Sequence, residues 1–335
     1  MEITINLLCD IELNKIELFK TILSEHISFI GEESIASLKG IFITEDKNVA
    51  STVNTIIKSV EPAGNYSPRE QSDSFAVTVP VEINGALNCF IVMGKKYFTD
   101  ITPEFNHPFN TISMLLEELL HVKIYSLLWN KRGYIQYINK GFGTCKSDIL
   151  SIASSLMDEY LVSRMKSKIL SSCNSFQLES GKDLTGGKLS YGGNVFKRIK
   201  TAGIEFKQIV ESLKKESVSI PEAWGHITRN LYRNIFEPLS RNAGFCDENQ
   251  ESCDDEQLKS IRMFIDLIND YWKDIHERLK TLYENNLNNY EYVKNDIANI
   301  IDSLLNGFGI SYSRIHGEDC WVNIDPHTID LFEGD

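Results

Sequence analysis

The chain is predicted to be an α+β protein, with strands concentrated in its first third and helices filling most of the rest. Residues 1 to 100 alternate between the two-residue apolar period of strands and the 3.6-residue period of helices. An Asn84-Gly85 pair sits between two β-rich runs. That pair calls for a two-residue hairpin, because both central positions of the turn need positive φ. From residue 197 to about 305 the apolar spacing is mostly helical.

The elements follow in order. "ITINLL" reads as a strand, and "ELNKIELFKTILSEH" as a helix with Ile16, Phe19, Ile22 and Leu23 on one face. "LKGIFITED" is a second strand and "KNVASTVNTIIKSV" a second helix. The segment "EPAGNYSPREQSDS" is dense in turn formers. The hairpin "FAVTVPVEINGALNCFIVMGKKYF" comes next. A helix capped near Asn110 or Thr111 then runs to about Asn130, with Arg132-Gly133 closing it. Another helix starts near Ser147. Residues 174–196, rich in Gly and Ser, read as a long loop or domain boundary. Pro221, Pro238 and the acidic stretch "CDENQESCDDEQ" interrupt the helical region, and the tail suggests a small hairpin around Gly317. The expected organisation is a domain over 1–172, a linker over 173–196, and a mainly helical domain over 197–335 that ends in the hairpin.

Composition excludes some functions. With 335 residues, 42% of them hydrophobic, the chain has ample material for packed cores. A net charge of -13 disfavours broad binding to nucleic-acid phosphates. The richest basic run, "KRIK" at 197–200, is too short to reverse that. "MEITINLLCD" lacks a basic n-region and a small-residue cleavage site, so no signal peptide is expected. No apolar run reaches the length of about 18 residues that a membrane span needs. The seven cysteines are scattered, with no CxxC pair, and the economical reading is a reduced cytoplasmic protein.

The chemistry concentrates in "TISMLLEELLHVKIYSLLWNKRG", residues 111–133. This helix is apolar on nearly every side, yet it carries Glu117, Glu118 and His121. On a helical wheel His121 falls about 40° and Glu118 about 100° from Glu117. Buried carboxylates are normally paired or bound to a metal, so three ionisable groups on one side of a buried helix ask for a cation. The pattern "EELLH" is one substitution from H-E-x-x-H, in which two ligands one turn apart hold Zn²⁺ and the glutamate between them acts on water. Glu117 stands where that motif has its first histidine. A carboxylate binds zinc at a similar distance and makes the site more anionic.

On these residues, and on the strand hairpin that precedes the helix, the sequence resembles the zincin metallopeptidases over roughly residues 35–165. The resemblance implies a zincin-like N-terminal domain and a metal held by Glu117, His121 and Glu159, the last from "MDEYLVSRM" on a later helix. It implies Zn, with Mn or Fe as alternatives, and Glu118 as the general base. Arg164 is expected to brace the site. The function implied is a cytoplasmic metal-dependent peptidase or hydrolase, acting on a protein or peptide that adds to the edge strand of the "FIVMG" hairpin. The alternative is a zincin-like fold without catalysis, a binding module in which the same groups pair with Arg132, Arg164 or Lys123. A carboxylate-bridged di-iron site fits less well, because it wants E-x-x-H on two helices and, within the predicted helices, Glu118 with His121 is the pair with that spacing.

Other signals carry less. "GKDLTGGKLSYGG" fails the phosphate-loop pattern, with Leu189 after Lys188. The acidic stretch 246–256 lacks the glycine and the terminal glutamate of a Ca²⁺ loop. Cys246 and Cys253 have no histidine close in sequence. His107, His226 and His276 read as ordinary polar residues. The amphipathic "IRMFIDLINDYWKDIHERLKTLY" reads as core packing.

Overall fold

The computed structural model describes residues 3–60, 76–99, 109–132, 144–172, 187–252, 258–314 and 320–325. The chain divides into two compact units, 1–135 with 169–181, and 136–168 with 182–335. The fold is mixed α+β and mostly helical.

In the first unit the order is β1 (Thr4–Leu7), α1 (Leu13–Ile30), β2 (Leu38–Thr44), α2 (Val49–Val60), β3 (Ala76–Ile83), β4 (Ala86–Gly94), the single turn α3 (Lys96–Thr99) and α4 (Phe109–Arg132). Apart from α3, which takes up the end of the segment expected as hairpin, this is the order that the alternating periods predict. The strands form one sheet in the order β1-β2-β4-β3. β1, β2 and β4 run parallel, and β3 is antiparallel to β4. The β3–β4 turn has φ 52° at Asn84 and 75° at Gly85, the positive pair that a two-residue hairpin requires. Alternation then sorts the side chains. Val77, Val79, Val81 and Val92 meet Val49, Val53 and Ile56 of α2 on one face. Thr78, between Val77 and Val79, faces the other way, where α4 lies against β3 and β4.

This topology decides which strand of the hairpin is the edge. The "FIVMG" strand, β4, is not an edge: β2 and β3 pair with it on both sides, so its backbone groups are already spent. The edges of this sheet are β1 and β3. β3 carries Pro80, which has no N–H to offer, and proline within a sheet is tolerated on an edge strand.

The second unit holds most of α5 (Thr144–Ser172), then α6 (Gly187–Lys214), α7 (Ile220–Asn230), α8 (Glu237–Asn249), α9 (Asn269–Glu284), α10 (Tyr290–Gly307) and the hairpin β5 (Ile310–Arg314) with β6 (Cys320–Ile324). Gly317 lies outside the described residues. α6 takes in residues 187–196, part of the stretch expected as loop or linker; the rest of that stretch, up to residue 186, is outside the described residues. Val195, Ile199, Ala202, Phe206 and Val210 are buried along α6. Packing of that stripe outweighs a local composition that disfavours helix.

Both prolines start helices. Pro221 lies in the first turn of α7, behind a capping box in which Ser219 and Glu222 satisfy each other's backbone N–H groups. Pro238 opens α8 directly after a π-helical turn at Leu231–Phe236. A π turn bonds each N–H to the carbonyl five residues back. Pro238 has no N–H for Arg233, and Arg198 Nη1 donates to the Arg233 carbonyl instead, at 2.9 Å. Cys9, Cys89 and Cys246 are free thiols. Cys145 is disulfide-bonded, which corrects the all-thiol expectation at that position. Among the described residues no helix is long and apolar enough to cross a membrane.

Candidate metal-binding residues

α4 is held by burial on several sides at once. Leu115, Leu116, Leu119, Leu120, Val122, Ile124 and Leu128 are all buried. Its three ionisable groups divide between two environments. Glu118 is 7% exposed and turns towards the sheet. Its Oε2 lies 2.6 Å from Thr78 Oγ1, and its backbone carbonyl oxygen lies 3.0 Å from the same hydroxyl. The threonine has one hydrogen to donate, so it serves one of these acceptors at a time.

Glu117 and His121 are half-buried on the neighbouring side of the helix, one turn apart. A Glu117 carboxylate oxygen and a His121 ring nitrogen lie within 4.8 Å of each other. The imidazole stacks on Tyr125, with ring centroids 6.3 Å apart and planes inclined by 25°. His121 Nδ1 is buried and has no hydrogen-bond partner among the described residues. Tyr97 stands beside both glutamates. Burial, then the charges of Glu118 and Glu117, push its phenol well above the ordinary tyrosine range. The hydroxyl therefore keeps its proton and remains a donor.

Glu159 belongs to the second unit, on α5, and is 8% exposed. Arg241 of α8 places Nε 2.8 Å from Glu159 Oε2. The contact is an ion pair without hydrogen-bond alignment, and Oε2 has no hydrogen-bond partner among the described residues. Arg241 also reaches Glu237 at 3.5 Å, and Glu237 meets Arg198 at 3.6 Å. Asp158 is buried as well, rather than turned outward, and accepts a hydrogen bond from Tyr290 at 3.1 Å.

Arg164 does not brace Glu159. Its Nη1 donates to Tyr160 Oη at 2.8 Å, its Nε faces Glu248 at 3.3 Å, and the guanidinium lies 3.9 Å from the ring centroid of Tyr283. The cation at Glu159 is Arg241, and the group at Glu118 is Thr78. The spacing of the sequence pointed to neither. Strand alternation put Thr78 on the face opposite Val77 and Val79, but which helical residue it meets depends on how α4 packs.

The donors suit a borderline metal. Imidazole nitrogen and carboxylate oxygen are ordinary ligands of Zn²⁺, Mn²⁺ and Fe²⁺. His121 Nδ1 and Glu159 Oε2 are buried and have no hydrogen-bond partner among the described residues. No family model, curated protein or solved structure matches the chain.

Proposed function

We propose that the protein is a metal-dependent hydrolase acting on a protein or peptide. Glu117, His121 and Glu159 hold the ion, Zn or alternatively Mn or Fe. The observation that carries the reading is His121: a buried ring nitrogen without a hydrogen-bond partner among the described residues, one helical turn from a half-buried carboxylate. Two such donors on one side of a buried helix are how a metal-binding helix is built. A bound ion supplies Lewis acidity to water and to a peptide carbonyl. Glu118 takes a proton from the attacking water and passes it to the leaving amine. Thr78 fixes the carboxylate rotamer, and Tyr97, kept neutral, stands as a hydrogen-bond donor beside both glutamates.

Arg241 favours a second reading. A cation already sits against Glu159, and Thr78 already answers Glu118. In this reading the fold is an inactive, zincin-like binding module, and these groups form a structural polar network. Metal analysis of the purified protein beside His121→Ala and Glu159→Gln separates the two. Close to one equivalent of Zn, Mn or Fe, lost in both variants, supports the hydrolase and licenses a peptide-substrate screen with Glu118→Gln as the inactive control. No metal in the wild-type protein, even after incubation with Zn²⁺, leaves the binding module.

A further inference from the structure

We propose that Arg241 is a built-in competitor for the metal, a cationic arm that occupies Glu159 when the ion is absent and withdraws to Glu237 when it binds. The inference rests on the reading of Glu159 as a ligand. It addresses a difficulty that reading creates, since a buried carboxylate without metal needs a counter-charge.

Three features of the second unit carry it. The 2.8 Å contact between Arg241 Nε and Glu159 Oε2 is an ion pair in which these two atoms are not aligned for a hydrogen bond. Glu159 is the more deeply buried partner: its side chain is 11% exposed, against 28% for Arg241. The arginine therefore has the freer path. Finally, a second carboxylate waits on the same helix. Glu237, four residues before Arg241, already stands 3.5 Å from Arg241 Nη2. Arg198 at 3.6 Å holds Glu237 in place and gives it a partner while Arg241 is on Glu159. The four residues form a row of alternating charge, Glu159, Arg241, Glu237, Arg198. Moving the arginine one place along the row frees a ligand and strands no charge.

A divalent ion must displace this arm, so Arg241 sets the affinity of the site. Zn²⁺ titration followed by calorimetry on the full chain tests the idea, comparing wild type with Arg241→Gln. Arg262→Gln serves as control, because it removes one exposed positive charge from the same unit and leaves the row intact. Arg241→Gln is expected to tighten Zn²⁺ binding by about fivefold, the upper end of what a single modest ion pair contributes. Arg262→Gln is expected to change it by less than about twofold. A nuclear magnetic resonance signal from the Arg241 Nε group should also move when Zn²⁺ is added to the wild type.

If Arg241→Gln is unstable without metal, the rise of its unfolding midpoint with Zn²⁺ gives the same information and should exceed that of the wild type. Binding that depends on His121 and Glu159 but is unchanged or weakened in Arg241→Gln overturns the competitor and leaves the metal site standing. Equal tightening in Arg241→Gln and Arg262→Gln also overturns it, as an effect of net charge alone. No Zn²⁺ binding in wild type or in Arg241→Gln overturns the metal site itself, and the competitor with it.

Discussion

At the scale of single residues, Thr78 and Glu118 form the contact whose loss is easiest to isolate. Glu118 is 7% exposed, and the Thr78 hydroxyl is 2.6 Å from its Oε2. Thr78→Val removes the hydroxyl at nearly constant volume and leaves a buried carboxylate short of a donor. The expected loss is about 1–3 kcal/mol of unfolding free energy, by denaturant titration. Thr78→Ser keeps the oxygen and should recover most of it. A loss in Thr78→Val that serine does not recover would assign the effect to the missing methyl group and its packing. Glu118→Gln keeps an oxygen that can accept from Thr78, so it should fold like the wild type. That makes it a fair test of catalysis, where Glu118→Ala is not.

At the scale of elements, α5 and α8 meet more closely than a side chain allows. A Cβ built on Gly244 would lie 2.4 Å from the Tyr160 carbonyl oxygen and 3.1 Å from the Arg164 amide nitrogen. Both are backbone atoms of a helix, which cannot step aside individually. Gly244→Ala should therefore destabilise the helical unit by about 1–3 kcal/mol, against the helix-propensity gain of an ordinary glycine-to-alanine change. Circular dichroism melting of the variant checks the sign, and a raised midpoint would mean that the helices separate without penalty.

Gly244 also marks the boundary of what local sequence reveals. The β-α-β-α-β-β order, the Asn84-Gly85 turn and the helix over Phe109–Arg132 were legible, because each is encoded by a period or by turn chemistry within its own segment. The pairing of Glu117 with His121 was legible for the same reason, since helical spacing fixes which neighbours share a side. Sheet order was not: nothing within "FIVMG" says that β2 will dock on it and leave β3 at the edge. The helical start at Gly187 was hidden too, because residues 187–194 are rich in Gly and Ser and read locally as loop. The partners of the two buried glutamates, Thr78 for Glu118 and Arg241 for Glu159, come from other elements and are fixed by packing that no single segment encodes.

At the scale of the whole molecule, charge sets the pH range in which the fold is stable. The chain carries -13 at pH 7, so self-repulsion grows as pH rises and eases towards its pI near 5.1. Two groups of the helical unit sharpen the limits. Burial pushes the Asp247 carboxyl up, but hydrogen bonds from His276 at 2.9 Å and Tyr160 at 2.6 Å outweigh it and hold the group below its ordinary range. A lowered acid stabilises the fold above its unfolded value, about 3.9, and that contribution fades as pH falls further. Tyr312 behaves in the opposite sense. Burial, then its 2.7 Å hydrogen bond to Asp302, raises its phenol above the ordinary range. Its contribution is complete below about pH 10 and is lost as pH rises past that point.

The expected profile of melting temperature against pH is a plateau between about pH 5 and 8, with an acid limb and an alkaline limb. Asp247→Asn should flatten the acid limb and, because the Asp247 carboxylate helps to raise the Tyr160 phenol, should also change the alkaline limb; Tyr312→Phe should flatten the alkaline limb. Salt separates the local effects from the global one. At pH 9 added NaCl should raise the melting temperature by screening the net negative charge, whereas near pH 5 it should do little. A profile with the same salt response at both ends would show that net charge is not what limits the alkaline side. The alkaline limb would then belong to Tyr312 and the other buried phenols, because their ionisation on unfolding depends on burial rather than on the field of the chain.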